Sequence, residues 1–211
     1  GFIVRYPNRK NANELGEFVE TKKLQATLEE YDDINRLMHI STIKDLNDHI
    51  EQGKVSETVL TAEALHEKKI AQIADRIADK RNVKMVLIAG PSSSGKTTFA
   101  KRLGIQLKLH GLNPVTIGTD NYFVERSDTP KDENGEYDFE TIEALDLKLF
   151  NEHLTKLING EEIEVPTFDF KDGTKIYNGN KMKLGENDIL VIEGIHSLND
   201  RLTSTIPKEN K

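Results

Sequence analysis

Lys84-Met85-Val86-Leu87-Ile88-Ala89-Gly90-Pro91-Ser92-Ser93-Ser94-Gly95-Lys96-Thr97-Thr98 is the stretch that decides how this 211-residue chain folds. Met85 to Ala89 is a short apolar run of β-branched and long aliphatic residues, which reads as a buried strand. From Gly90 to Thr97 the residues fit G-x-x-x-x-G-K-[ST] without a mismatch. Phe99, Leu103 and Leu107 follow at fourfold spacing, with Lys108 and His110 ahead of Gly111, which predicts a helix with a glycine stop. Strand, Gly-rich loop and helix in this order are the context of a phosphate-binding loop.

The residue types suit that chemistry. Inward-turned backbone N–H groups form a fixed concave donor set for a triphosphate, and Gly90 and Gly95 permit the close approach that a Cβ would block. Ser92, Ser93 and Ser94 keep the wall small, while the helix beginning near Lys96 adds its free N–H groups and dipole. The expected ATP-binding set is Gly90, Pro91, Ser92, Ser93, Ser94, Gly95, Lys96, Thr97 and Thr98. Lys96 supplies a mobile charge to the β- and γ-phosphates, and the Thr97 hydroxyl is an expected Mg²⁺ ligand.

Composition narrows the classes. The chain is 36% hydrophobic and 31% charged, with a formal net charge of −7, which opposes broad binding to nucleic acid or an anionic membrane. It has no cysteine, so disulfides and thiolate chemistry are excluded. No apolar run is long enough to span a bilayer and no signal peptide is evident, so the expectation is a cytoplasmic protein without a membrane partner. Oligomers remain compatible with all of this. The first residue is Gly1 rather than Met, which suggests a processed or excised start.

Before the loop, Phe2-Ile3-Val4 reads as one strand and Pro7 to Asn13 as a polar turn. Ile34, Leu37, Met38, Ile43, Leu46 and Ile50 then sit at spacings of three and four, with Gly53 as a stop. A second helix is expected from about Glu57 to Asp79, with Ile70, Ile73, Ala74 and Ile77 on its apolar stripe. Residues 1–82 are therefore expected to form a mostly helical appendage, and residues 83–211 a P-loop domain that is incomplete at its C-terminus.

After the loop helix, Val115 to Gly118 reads as a strand, and Asp120 stands just past its end, where ligands bind in open α/β sheets. On spacing alone Asp120 is equally a loop Asp in an Asx-turn. Leu147, Phe150, Leu154, Leu157 and Ile158 predict a helix capped by Asp146, with His153 on its solvated side. Residues 161–184 alternate like strands around Asp172-Gly173 and Asn178-Gly179, which predicts a small antiparallel excursion with Phe168 and Phe170 on one face. Asp188 to Ile192 reads as a third buried strand closed by Glu193, the Walker-B pattern that holds Mg²⁺. A short helix is expected from Asn199 to Thr205.

Taken together, Gly90 to Thr98, Thr119-Asp120-Asn121-Tyr122-Phe123, Tyr137-Asp138-Phe139-Glu140, Pro166 to Phe170 and Ile192-Glu193-Gly194-Ile195-His196 resemble the uridine kinase/phosphoribulokinase family. The resemblance covers about residues 84–206, and the preceding helical segment resembles the threonyl-tRNA-synthetase-like part of longer bacterial members. It implies an α/β fold, a P-loop NTPase parallel sheet with flanking helices. It also implies γ-phosphoryl transfer from Mg-ATP to a hydroxyl of a nucleoside-like molecule of the uridine/cytidine type. Asp120 matches the residue that takes the acceptor's proton; Lys96 is the second expected catalytic residue. Asp138 matches a ribose-binding Asp; Phe168 and Phe170 match aromatics around the pyrimidine, with Tyr122 a further substrate-binding candidate; Glu193 matches the acidic residue near the metal. Uridine kinases have a base-reading His shortly after the aromatic pair, where this chain has Lys171-Asp172-Gly173.

Three parallel strand candidates stand against a family sheet of about five, and no Arg cluster like the family's lid lies between Glu193 and Lys211. The expectation is a C-terminally truncated fragment of a longer enzyme, weak in transfer by itself. Two alternatives stay open: a nucleotide-gated binding module or slow NTPase whose helical region contacts RNA or protein, and a phosphoribulokinase-like kinase with a non-nucleoside acceptor.

Overall fold

The protein is seen here in a computed structural model, which describes residues 4–8, 11–15, 21–80 and 82–211. Phe2 and Ile3 of the expected first strand lie outside these residues. The chain divides into two compact units, residues 1–66 and 67–211.

In the first unit, β1 (Pro7–Asn8) pairs antiparallel with β2 (Asn11–Leu15), so the segment read as a polar turn is a small hairpin. The next helices are α1 (Lys22–Leu37) and α2 (Ile43–Glu51). Local chemistry starts α2. The Thr42 hydroxyl accepts the Asp45 N–H at 3.2 Å and the Asp45 carboxylate accepts the Thr42 N–H at 2.8 Å, a reciprocal capping box. Those bonds to Thr42 also hold the exposed Asp45 carboxyl below its ordinary range.

The division between the units falls inside α3 (Val55–Asp79), whereas the sequence pattern places the boundary after residue 82. Burial gives the reason. Ile70 and Ala74 are fully buried in one cluster with Ile88, Leu103, Ile189 and Val191, so the second half of α3 belongs to the core of the second unit.

That core surrounds a parallel sheet of β3 (Met85–Ala89), β9 (Asp188–Gly194) and β4 (Asn113–Gly118), with β9 in the middle. Met85 and Val115 both lie in register with Leu190. Period-two alternation along β9 serves both faces. Leu190 and Ile192 join the cluster of α5 (Leu147–Ile158), whereas Ile189 and Val191 join that of α3 and α4 (Lys96–Leu109). A strand sealed on both faces is continuous in apolar residues, as this one is. α4 lies close on β4 because Gly104 has no side chain; a Cβ there would stand 3.1 Å from Pro114 Cγ.

The antiparallel excursion is a nested pair of ladders. β5 (Ile163–Glu164) pairs with β8 (Lys181–Met182), and β6 (Thr167–Asp169) pairs with β7 (Thr174–Ile176). Arg126 secures the inner turn, donating from its guanidinium to the carbonyls of Phe170 at 2.6 Å and Lys171 at 3.1 Å. Residues 199–205 form turns rather than the expected helix, and Lys84 N–H donates to the Asn210 carbonyl at 2.9 Å. Among the described residues no helix is long and apolar enough to cross a membrane.

Candidate active site

The three parallel strands end together at Ala89, Gly118 and Gly194, so the loops that leave them meet along one edge of the sheet. An open α/β sheet binds its ligand at this edge. Here it holds a cleft of about 670 Å³ lined by Gly90, Pro91, Ser92, Lys96, Asp120, Phe123, Phe139, Glu140, Phe170, Ile195 and His196. That volume suits a small-molecule site.

The loop has the backbone its glycines imply. Gly95 adopts φ +87° and caps α4 without a side chain, leaving the first helical N–H groups to face the loop. A Cβ on Gly90 would come within 2.7 Å of Ser94 Oγ and 3.3 Å of Lys96 Cγ, so glycine lets the loop close on itself without displacing these side chains. Lys96 Nζ donates to the Pro91 carbonyl at 2.7 Å, which carries its charge across the loop.

Thr97 and Glu193 come together from α4 and β9. The Thr97 hydroxyl donates to Glu193 Oε1 at 3.1 Å, and Glu193 Oε2 is buried with no hydrogen-bond partner among the described residues. A hydroxyl and a half-engaged carboxylate at the foot of a phosphate loop are hard oxygen donors suited to Mg²⁺. The orphaned oxygen fits a cation.

Asp120 lies in the 3₁₀ turn Thr119–Tyr122 that leaves β4, and lines the same cleft as Lys96. Its neighbour Thr119 is fully buried against Gly194. The turn bearing the carboxylate is thereby packed onto the strand end bearing Glu193.

The acceptor side differs from expectation in three places. Tyr122 does not reach the cleft: its ring is fully buried, and its hydroxyl is 3.0 Å from His153 Nδ1. Burial, then nearby Tyr177, raises the Tyr122 hydroxyl's pKa far above its ordinary value. His153 correspondingly faces the core rather than solvent. Phe168 is also buried, packing edge-on to Phe170 at 5.1 Å and against Phe123 at 5.5 Å; it backs the cleft wall without lining it. Asp138 stands one residue from the lining, with Oδ1 accepting the Glu140 N–H at 2.9 Å.

Phe123 and Phe139, whose rings meet edge-on at 5.5 Å, join exposed Phe170 as the aromatic lining. Phe123, Phe139, Glu140, Ile195 and His196 were not singled out as site residues from the sequence. Each lies within three residues of an expected site residue, Tyr122, Asp138 or Glu193, and position after the ends of β4 and β9 or near Asp138 is the signal that could have found them.

A model of the Phosphoribulokinase / Uridine kinase family matches residues 85–206, more than half of the chain. The chain belongs to the phosphoribulokinase/uridine kinase family. Among curated relatives, a uridine kinase of Halalkalibacterium halodurans is 35% identical over 114 residues, 54% of this chain and 52% of its own. A uridine kinase of Halobacterium salinarum is 30% identical over 113 residues, covering 54% and 48%. The chain thus spans about half the length of the curated relatives it matches. A solved structure described as a "possible uridine kinase" from Bacillus stearothermophilus aligns with TM-score 0.50 and 22% identity, over 68% of this chain and 74% of that one. That likeness concerns the fold, and it agrees with the parallel sheet flanked by helices.

Proposed function

We propose that this chain carries the donor site and the base of a P-loop phosphotransferase, which moves the γ-phosphoryl group of ATP to a hydroxyl of a small nucleoside-like acceptor of the uridine/cytidine type. The observation that carries the reading is that Lys96 and Asp120 line one cleft together with phosphate-loop residues and the aromatic residues Phe123, Phe139 and Phe170. The names of the relatives favour uridine as the first acceptor to test.

In the proposed reaction the loop N–H groups and Lys96 hold the phosphates and stabilise charge on the oxygens in transfer. Asp120 accepts the proton of the acceptor hydroxyl as its oxygen bonds to the γ-phosphorus. The bond from that phosphorus to the bridging oxygen breaks, leaving its electron pair on the β-phosphate of ADP, and the proton stays on Asp120. Thr97 and Glu193 would hold Mg²⁺, which supplies charge neutralisation to the phosphates when bound. Phe123, Phe139 and Phe170 exclude water from the acceptor side, and Asp138 is proposed to meet acceptor hydroxyls through Oδ2.

The test is ADP production with and without uridine, cytidine and small sugar phosphates. Asp120→Asn is expected to lower acceptor-dependent turnover at least about 100-fold while ATP affinity changes less than about twofold. ATP consumption indifferent to every acceptor would sink the kinase reading and favour a nucleotide-gated module. Full activity of the mutant would remove Asp120 as the base.

A further inference from the structure

Beyond the phosphate loop, the polar side chains lining the cleft share one character. Asp120 and Glu140 are carboxylates, and His196 places its Nε2 2.8 Å from the Glu140 backbone carbonyl. A carbonyl can only accept, so Nε2 carries the hydrogen. In the neutral ring Nδ1 is then a hydrogen-bond acceptor, and it is the ring's one remaining polar atom. Three neighbouring groups therefore offer lone pairs. Lys96 is the one lysine or arginine lining the cleft among the described residues, and it sits in the phosphate loop.

Such a rim selects its occupant twice over. It rewards a molecule rich in O–H donors, because each unpaired acceptor in a closing cleft costs about 1–3 kcal/mol. It also repels a second anionic group, because outside the phosphate loop the cleft is lined by two carboxylates and, among the described residues, by no lysine or arginine. We propose that His196 is an acceptor-binding residue whose Nδ1 takes a hydrogen bond from a second hydroxyl of an uncharged, hydroxyl-rich acceptor, a nucleoside sugar rather than a phosphorylated one. This rests on the kinase reading above, with Asp120 engaging the hydroxyl that is phosphorylated. Position supports the division of labour. β9 delivers Glu193 to the Thr97 side, and three residues later the turn after the strand delivers His196 to the aromatic side.

The experiment is a cycle between side chain and ligand. Wild type and His196→Phe are titrated at pH 8 with uridine, 2′-deoxyuridine, 3′-deoxyuridine and ribose 5-phosphate, by calorimetry without ATP and by KM where turnover is seen. Wild type is expected to bind uridine about tenfold more tightly than one of the deoxy analogues and than ribose 5-phosphate. His196→Phe keeps a flat ring, loses that tenfold preference among nucleosides, and leaves the KM for ATP within about twofold. A preserved deoxy preference in His196→Phe overturns the proposal, since the ring would then only peg Glu140. Preference for ribose 5-phosphate, or no uridine binding by wild type, overturns it as well. Uridine binding with the expected cycle but without phosphoryl transfer would leave the role of His196 standing, so the failure of the kinase reading and the failure of this proposal are told apart.

Discussion

Asp146 joins two kinds of stabilisation that substitution can separate. Its carboxylate accepts the Leu149 N–H at 3.0 Å, capping α5, and takes a bond from Lys175 Nζ on β7 at 2.5 Å. The Lys175 side chain is 12% exposed and that of Asp146 28%, so this pair lies between a surface and a buried one. Breaking a fully buried pair costs about 3–5 kcal/mol and a surface pair about 0–1, which places this one at about 2. Asp146→Asn keeps a good cap and should cost about 2 kcal/mol; Asp146→Ala also loses the cap, for about 3 in all. By thermal denaturation these are drops of roughly 4–8 °C and 6–12 °C. In a Lys175→Met background, Asp146→Asn should cost almost nothing. An undiminished cost there would refute the ion pair, and equal losses for Asn and Ala would refute the cap. Burial alone would raise the Asp146 carboxyl's pKa, but the bonds from Lys175 and Leu149 outweigh it and hold the group below its ordinary 3.8. The folded form therefore binds its proton less readily than the unfolded form. The contribution is complete above 3.8 and is lost as pH falls through the lower folded value, so the gap between wild type and Asp146→Asn should close in acid.

Two further substitutions probe the packing behind the cleft. A Cβ on Gly194 would stand 2.9 Å from Thr119 Cβ, which is too close to tolerate. Gly194→Ala should cost about 1–3 kcal/mol and, by moving the turn that carries Asp120, depress acceptor-dependent turnover; an unchanged Tm and rate would show that the contact yields freely. Tyr122→Phe strips His153 Nδ1 of its partner and should cost about 1–2 kcal/mol in denaturant titration at pH 7.5, whereas a loss within error would mean that the bond contributes nothing. Burial, the leading cause, lowers the His153 pKa from 6.5, so the unfolded chain protonates first and wild-type stability should decline as pH drops below 6.5.

The parallel strands, the phosphate loop, α4, α5 and the excursion were legible because each rests on local pattern: apolar runs, fixed glycines, fourfold spacing, turn dipeptides. The meeting of Thr97 with Glu193 was legible because both positions are tied to strand or helix ends. What escaped was which side of a chain turns inward. Tyr122 and Phe123 are adjacent and both aromatic, and only the packing of Tyr122 against Phe150, with centroids 4.7 Å apart, decides that Phe123 faces the cleft. Its polar type predicts a solvated His153, but the hydroxyl of Tyr122, 31 residues earlier in sequence, pairs with its ring and makes burial tolerable. The division inside α3 was equally hidden, since an unbroken helix carries no mark of which half another core will claim.

The placement of β9 between β3 and β4 has a consequence for synthesis on the ribosome. Neither flanking strand pairs with the other, and both wait for a partner that emerges about 70 residues after β4 ends. At about 5–20 residues per second that is a delay of roughly 4–14 s, during which two apolar segments are made without a sheet to join. Glu193 is the last of the Lys96, Thr97, Asp120 and Glu193 set to leave the tunnel. The edge that carries these four residues can therefore assemble only after β9 has emerged, and until then the apolar segments of β3 and β4 stay open to chaperones.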